Sequence, residues 1–345
     1  MNHYVWINGR KIRIRPSELQ EIDKDGYFRR QPNYFTERPG TAAHPVEKDR
    51  YILFWSTGCA WSNRAAIAIG LLGLSDSIKT EVVDWSQRPE DLGWEFVHSP
   101  EHINPETGAQ FLSELYYNTC PDYSGRTTVP AFVDYRTKTV VNNDFHTLTL
   151  ILETDFRPLM PSGVPNLYPV RLRDQIDPLN GWLYQNVNDA IYRACFSRSP
   201  QAYQEGYDTF FRSLSVLDKQ LASQRFLLGD YVTDSDIRLF TTLVRLDINY
   251  SRHIGPCPSL KDYPCLWEYA RDLYQIPAFG RHTHFQDFAA KQGAFRFNAY
   301  YDMVVPNTDF DALWNEPVTR SRLSKDPLHK FTYLTDKEDS ACPSI

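Results

Sequence analysis

The 345-residue sequence predicts two successive domains, an α/β domain followed by an all-helical one. Three observations carry this prediction. Strand-like apolar runs alternate with helix-period runs over residues 51–156, prolines are frequent over 157–170, and only helical periods follow over 171–288. Strands and helices repeat their apolar residues at different spacings, so a change of period along the chain indicates a change of domain, and the proline-rich segment is expected to be the linker.

The first domain has the order strand, helix, strand, then a long connection, then a hairpin and a helix. The expected elements are a strand at 51–55, a helix at 60–73, a strand at 77–85, a helix at 108–119, a hairpin at 127–143 and a helix at 144–156. Asp144 is placed as the N-cap of the last helix, because its carboxylate can accept hydrogen bonds from the backbone of the first turn. This order is typical of a thioredoxin-like domain.

The second domain is expected to be all-helical. Its helical periods lie at 171–195, 200–222, 235–250 and 262–275. Thr233 and Asp236 form a start signal for the third of these, since each can bond the other's backbone N–H. Residues 1–50 are expected to form an irregular arm and residues 289–345 an irregular tail.

The net charge and the cysteine spacing limit the partners, metal sites and cellular location that we expect. The net charge of −6 argues against nucleic acid and membrane surfaces as partners. The N-terminus has no continuous apolar stretch of a signal peptide, and no apolar run approaches the ~20 residues of a membrane-spanning helix. The six cysteines form no C-x-x-C pair and no zinc-type spacing, so we expect no metal and a reducing, cytoplasmic location. They are Cys59, Cys120, Cys195, Cys257, Cys265 and Cys342.

Cys59 stands between the strand at 51–55 and the helix at 60–73. A helix N-terminus offers unpaired N–H groups and the positive end of the helix dipole, and both favour an ionised sulfur. A free cysteine can also be a small buried filler. Position alone leaves both interpretations open.

Seven segments between about residues 51 and 277 match one family in order and spacing. They are "STGCAWSNR" (56–64), "LGWEF" (92–96), "DYSGRTTVPAFVD" (122–134), "VVNND" (140–144), "VNDAIYRACF" (187–196), "GDYVTDSDIRLFTTLVRLD" (229–247) and "YARDLYQIP" (269–277). Together they resemble the Xi class of the cysteine-type glutathione transferases, the glutathionyl-hydroquinone reductases. The resemblance implies the cysteine-type glutathione transferase fold, with a thioredoxin-like N-terminal domain and an all-α C-terminal domain.

The resemblance also implies an activity and a set of site residues. Cys59 would take glutathione from an S-glutathionyl hydroquinone as a mixed disulfide, and a second glutathione would release it. Tyr192 and Tyr250 match tyrosines that line the family's quinone pocket, although tyrosines in a helical domain can equally serve packing. Glutathione is the expected cosubstrate, a quinone-type aromatic the expected substrate, and a homodimer the expected assembly.

Further residues match positions that contact glutathione in the family. Trp94 and Arg126 are two of them, and the alternative for Arg126 is a solvated turn charge. Val129 would pair with the tripeptide through its main chain, ahead of a cis Pro130. At the end of the hairpin, Asp144 and Phe145 stand where the family has the Glu-Ser pair that grips the γ-glutamyl group. Their positions match those of the pair although their residue types do not.

The chain departs from the family pattern at several positions. Ala60 replaces a proline, Asn63 a histidine, and Cys195 a glycine. Phe145 has no hydroxyl to offer, so weak glutathione binding and its recovery in Phe145→Ser are expected; the alternative is that Phe145 fills a space under the arm at 26–40. The family's paired tyrosines of the tail fall near 292–293.

Three functions remain open at this stage. The first is a glutathione-dependent thiol transferase or reductase acting on quinone-type aromatics. The second is a transferase-like enzyme adapted to specialised metabolism, such as an isomerase, lyase or conjugating enzyme on an aromatic or polyketide-like substrate. The third is a non-catalytic ligand-binding protein on the same scaffold, for which Cys59 would be unreactive.

Overall fold

The computed structural model describes residues 4–14, 21–88, 92–289, 298–329 and 331. The chain divides into two compact units after Met160, and the short segment Ile22–Arg29 belongs with the second unit.

The first unit is built on a four-stranded mixed sheet. Its strands, including two small accessory pairs, are β1 (Tyr4–Ile7), β2 (Arg10–Arg13), β3 (Tyr51–Trp55), β4 (Ile78–Val82), β5 (Asp84–Trp85), β6 (Trp94–Glu95), β7 (Ala131–Asp134) and β8 (Thr139–Asn142). The central sheet has the order β4-β3-β7-β8, with β3 parallel to β4 and antiparallel to β7. All five residues of β3 are buried, as expected of a strand covered on both faces.

The described residues of the first unit also form three α-helices. They are α1 (Ala60–Leu71), α2 (Leu112–Thr119) and α3 (Leu148–Thr154). The predicted strand–helix–strand unit followed by a hairpin and a helix is therefore confirmed as a thioredoxin-like order. The prediction that α3 begins with Asp144 as its N-cap is wrong, because the N-cap is Thr147. Asp144 instead closes a turn just before the helix.

The segment expected to be an irregular arm contains regular structure at its start. Asn8 and Gly9 both have positive φ, 50° and 76°, and they join β1 to β2 in a two-residue hairpin. Asn-Gly is the residue pair that such turns favour, so this signal was present in the sequence. Ile7 and Ile12 of the hairpin pack with Leu92 and Phe111.

Residues 35–37 of the arm lie along the outer edge of the sheet. The Asn143 N–H donates to the Phe35 carbonyl at 2.8 Å, and the Glu37 N–H donates to the Val141 carbonyl at 3.2 Å. A bridge between Thr36 and Asn142 lies between these two bonds. The arm therefore pairs with β8 and covers an edge that would otherwise present unpaired backbone groups.

The second unit is helical. Its helices are α4 (Arg173–Leu183), α5 (Asp189–Phe196), α6 (Pro200–Gln220), α7 (Asp234–Leu243), α8 (Ser251–Ile254), α9 (Pro264–Tyr274), α10 (Pro277–Arg281), α11 (Phe285–Ala289) and α12 (Phe310–Trp314). A π-helical segment, Tyr184–Asn188, joins α4 to α5 into one continuous run. The start signal predicted for α7 is confirmed, since Asp236 accepts a hydrogen bond of 2.8 Å from the Thr233 N–H.

The tail is ordered against the second unit over much of its described length. The Trp314 ring of α12 packs edge-on against Trp267 of α9, with ring centroids 5.0 Å apart. Arg320 is 2% exposed and donates to backbone carbonyls at the end of α6. The tail tyrosine positions expected near 292–293 lie outside the described residues. Among the residues described, no helix has the length and apolar character needed to cross a membrane.

Candidate active site around Cys59

Cys59 occupies the turn between β3 and α1. It is the N-cap of α1, with extended backbone dihedrals of −89° and 114°. Its N–H donates to the Ser56 carbonyl at 3.0 Å, and its own carbonyl accepts from the Asn63 N–H at 3.1 Å. The partly exposed sulfur therefore sits at the N-terminal end of a twelve-residue helix, as the sequence predicted.

The Cys59 sulfur faces the segment that precedes β7. Its Sγ lies 3.9 Å from the Val129 carbonyl oxygen. The peptide bond between Val129 and Pro130 is cis, as predicted. Cys59 and Trp94 both pack against the apolar cluster that contains Val129. The structure thus brings three of the predicted site residues into one region of the first unit.

Trp94 is held by a small antiparallel pair of strands. It lies on β6 opposite Trp85 of β5, and the two rings meet edge-on with centroids 5.2 Å apart. Trp94 is only partly buried. A half-buried indole N–H can still donate to a ligand.

Arg126 is engaged by the arm. Its Nη1 donates to the Glu21 carboxylate at 2.6 Å, and its backbone N–H donates to the Gln31 side-chain oxygen at 3.2 Å. The Arg126 side chain is 30% exposed. Arg126 is therefore not a solvated charge in a turn. It already forms an ion pair with a carboxylate of the same chain.

Asp144 is also engaged by the arm. Its Oδ1 accepts from the Asn33 side-chain amide at 2.6 Å and from the His146 N–H at 3.0 Å, and its Oδ2 accepts from the Thr147 hydroxyl at 2.8 Å. Asp144 is 9% exposed. An ionised carboxylate has about four acceptor positions, so most of this group's capacity is used within the chain.

Phe145 packs between α1 and the arm. Its ring centroid lies 4.3 Å from that of Trp61, two residues after Cys59. The guanidinium carbon of Arg30 lies 4.5 Å from the Trp61 centroid and 5.7 Å from the Phe145 centroid. Phe145 is 8% exposed. These contacts agree with the expectation that Phe145 fills a space beneath the arm.

Sequence reasoning missed the arm residues at this site. Glu21, Arg30 and Asn33 contact Arg126, Trp61 and Asp144 respectively. They lie in a polar, turn-rich stretch in which no periodicity marks any side chain. The only local signal was the abundance of charged and amide residues, which is equally typical of a solvated loop.

Tyr192 and Tyr250 lie together in the second unit. Tyr192 is on α5, Tyr250 ends the π-helical turn after α7, and their rings meet at 64° with centroids 5.7 Å apart. The Tyr250 hydroxyl is buried, and Tyr192 is its hydrogen-bonding neighbour. Burial, and then the nearby Tyr192, hold the pKa of Tyr250 well above its usual range. Tyr250 therefore stays protonated and remains a donor throughout the neutral range.

Comparisons with known proteins identify the family of this chain. Residues 200–272 match the family described as "Glutathione S-transferase, C-terminal domain". The chain is 38% identical over 250 residues to glutathionyl-hydroquinone reductase YqjG of Escherichia coli (strain K12), covering 71% of this chain and 75% of that protein. The chain belongs to the Xi class of the glutathione transferases.

Other relatives and solved structures are glutathione transferases as well. Glutathione S-transferase omega-like 2 of Schizosaccharomyces pombe is 35% identical over 276 residues, covering 76% of this chain and 87% of that protein. The crystal structure of the glutathione S-transferase Xi of Phanerochaete chrysosporium has a TM-score of 0.74 at 35% identity, covering 80% of this chain and 90% of that one. The glutathione-bound structure of YqjG has a TM-score of 0.71 at 33% identity, covering 86% and 98%. The chain is thus an enzyme of the glutathione transferase type.

Two departures from the Xi pattern lie in the first turn of α1 and leave the start of this helix unchanged. Ala60 takes the first helical position without a proline, and the helix still begins there. Asn63 is fully buried. Neither residue can titrate.

Cys195, the third departure, is a partly buried thiol on α5. Burial raises the pKa of Cys195 to about 12, and the neighbouring Cys257 adds to the rise. A neutral thiol is a poor nucleophile, so Cys195 is assigned to packing. Across the described part of the chain no three His, Cys, Asp or Glu side chains are grouped as metal ligands would be.

The packing of Phe145 changes the expected result of Phe145→Ser. Removing a ring that contacts Trp61 and Arg30 should lower the free energy of unfolding by about 3 kcal/mol, since core Phe truncations cost about 3–5 kcal/mol. Urea denaturation measures this. The matched control is Phe145→Leu, which keeps most of the volume and should cost less than about 1.5 kcal/mol. Equal stability of Phe145→Ser and the unaltered chain would contradict the packing role.

Proposed function

We propose that this Xi-class transferase removes glutathione from S-glutathionyl hydroquinones, with Cys59 as the nucleophile. The observation that carries the proposal is the position of the Cys59 sulfur, at the N-terminus of α1 and 3.9 Å from the Val129 carbonyl beside a cis proline. A relative of 38% identity bears the name glutathionyl-hydroquinone reductase. A cysteine suits this reaction because its thiolate attacks sulfur and forms an exchangeable disulfide.

The reaction has two steps. In the first, the Cys59 thiolate attacks the sulfur of the glutathionyl hydroquinone, an S–S bond forms, and the carbon–sulfur bond breaks. The electron pair of that bond goes to the ring carbon, which takes up a proton and leaves as the hydroquinone. In the second step, the thiolate of another glutathione attacks the mixed disulfide, which releases glutathione disulfide and restores the Cys59 thiolate.

The proton for the ring carbon is assigned to the tyrosine pair Tyr192 and Tyr250. A positioned O–H donor is required because a carbanion is a poor leaving group. The hydroxyl of Tyr250 stays protonated since burial and Tyr192 raise its pKa.

Replacing Tyr250 with phenylalanine should therefore lower turnover of a glutathionyl hydroquinone by about 10²-fold, the lower end of the range for general acids. Tyr192→Phe should have a smaller effect, because the more deeply buried hydroxyl of Tyr250 remains. Steady-state rates measure turnover, and the rate of Cys59 alkylation is the control that should not change. If the double variant turns over at the unaltered rate, neither tyrosine is the acid.

Glutathione is assigned to the same region of the first unit as Cys59. Val129 supplies main-chain groups beside the sulfur, Trp94 an indole donor, and Arg126 a cation for a carboxylate of the tripeptide. Asp144 would take the ammonium group of the γ-glutamyl residue. Intact mass after treatment with glutathione disulfide tests the assignment, since a glutathione adduct should form on Cys59. We also propose a cytoplasmic homodimer, for which sedimentation velocity measures the assembly.

One observation favours a second candidate function. Asp144 and Phe145 are engaged by Asn33 and Arg30, so the γ-glutamyl end of the site differs from a Glu-Ser grip. Such a change would not lower the activity of an enzyme that acts on another aromatic substrate without glutathione. In that case Cys59 should form no glutathione adduct even at high glutathione disulfide concentrations.

A further inference from the structure

Two residues of the arm, Glu21 and Asn33, bind the side chains to which the two charged ends of glutathione were assigned. Glu21 pairs with Arg126 at 2.6 Å, and Asn33 donates to Asp144 at 2.6 Å. Both contacts lie within the first unit. Arg126 lies three residues before Val129, whose carbonyl faces the Cys59 sulfur, and Asp144 adjoins Phe145, which packs against Trp61 of α1.

The contact at Asp144 has the chemistry of a bound ammonium. The Asn33 amide presents N–H donors to Oδ1, as the α-ammonium group of a γ-glutamyl residue would. Asp144 is 9% exposed with Asn33 in place. A ligand ammonium can approach this carboxylate only after the Asn33 side chain has moved away.

At Arg126 the roles are reversed, because here the arm supplies the carboxylate and the site residue supplies the cation. The Glu21 carboxylate meets the guanidinium as a carboxylate of glutathione would. Glu21 also accepts from the Gln31 N–H at 3.3 Å, and the Gln31 side-chain oxygen accepts from the Arg126 N–H at 3.2 Å. Glu21 and Gln31 are therefore linked to each other and to Arg126.

The neighbouring part of the arm is anchored independently. Phe35 pairs with Asn143 through two hydrogen bonds, and Arg38 makes a bidentate pair with Asp155 at 2.8 and 3.0 Å. These contacts do not involve Arg126 or Asp144. Rotation of the Glu21 and Asn33 side chains can therefore open both groups without detaching the arm from the sheet edge.

We propose that Glu21 and Asn33 are specificity-determining residues that compete with glutathione for Arg126 and Asp144. The carboxylate and the amide supply, from within the chain, the same charge and hydrogen-bonding pattern as the two ends of the tripeptide. The inference rests on the proposed function for the assignment of those two ends. It predicts that the unaltered enzyme binds glutathione less tightly than it would if Glu21 and Asn33 did not occupy Arg126 and Asp144.

Calorimetric titration with reduced glutathione tests this on the full chain. Asn33→Ala frees a buried carboxylate and should tighten glutathione binding on the order of tenfold, since a hydrogen bond to a charged group contributes at least about one decade. Glu21→Gln removes the competing charge from a partly exposed pair and should tighten binding about threefold. The two effects should add, because the two contacts share no atom.

The matched control is Arg38→Ala, which breaks an arm ion pair away from the site and should leave glutathione affinity unchanged. Thermal unfolding of all variants separates affinity changes from loss of fold. Unchanged or weaker binding in both Asn33→Ala and Glu21→Gln would overturn the inference, as would equal tightening by Arg38→Ala. So would the absence of binding in every variant, because removing the competitors would then have exposed no site.

The same experiment separates this inference from the proposed function. Calorimetry reports binding without chemistry, while hydroquinone turnover at saturating glutathione reports the role of Cys59. Tighter binding in Asn33→Ala without any turnover would contradict the reductase function and support the competition. Normal turnover with unchanged affinity would support the reductase function and overturn the competition.

Discussion

Cys59→Ser is expected to lower turnover of an S-glutathionyl hydroquinone at least about a thousandfold. A serine hydroxyl is not ionised near neutral pH, and it cannot form the disulfide on which both steps depend. The structure places only this thiol beside the Val129 carbonyl within the described residues. The measurements are the steady-state rate and the intact mass after treatment with glutathione disulfide, in which the adduct should disappear.

Cys120→Ser is the matched control for this variant. Cys120 is another partly exposed thiol of the first unit, with its Sγ 3.9 Å from the Tyr34 hydroxyl. Its replacement should leave turnover unchanged. Turnover that survives in Cys59→Ser, or that is lost only in Cys120→Ser, would contradict the assignment of the nucleophile.

The second large effect is expected on stability, from Arg320→Met in the tail. Arg320 is 2% exposed, and its guanidinium donates to the Arg225 carbonyl at 2.9 Å and the Leu221 carbonyl at 3.0 Å, and also to the Gln224 carbonyl. Methionine keeps much of the length but supplies no donor. The carbonyls at the end of α6 would be left buried without partners, at a total cost of about 3–5 kcal/mol.

Urea denaturation of the full chain measures this cost as a lower unfolding midpoint. Arg322→Met is the matched control, because Arg322 lies two residues further along the tail and is exposed. Its replacement should change the free energy of unfolding by less than about 0.5 kcal/mol. Equal stability of the Arg320 and Arg322 variants would show that the tail adds nothing to the helical unit.

Local chemistry in the sequence determined much of the fold. The all-apolar run at β3, the reciprocal caps Thr233 and Asp236, and the hairpin of β7 and β8 each act over a few residues. Such signals are written in neighbouring side chains, so they can be interpreted before any tertiary structure is known. The position of Cys59 at the start of α1 belongs to this class.

The family assignment also came from the sequence, through the order of its segments. That order led correctly to a thioredoxin-like unit with a cis Pro130 and a helical unit. The local prediction of Asp144 as the N-cap of α3 was wrong, because Asp144 bonds within a turn rather than capping the helix. Whether a short carboxylate caps a helix or closes a turn depends on what approaches it from elsewhere.

What occupies the candidate site was decided only by tertiary structure. Asn33 reaches Asp144 across 111 positions of the chain, and Glu21 reaches Arg126 across 105. No periodicity or cap relates residues so far apart, because such contacts form only when the sheet edge and the arm come together in the fold. The sequence by itself determined where Cys59 stands and which residue types surround it, while the folded arm determined which of those residues already have partners.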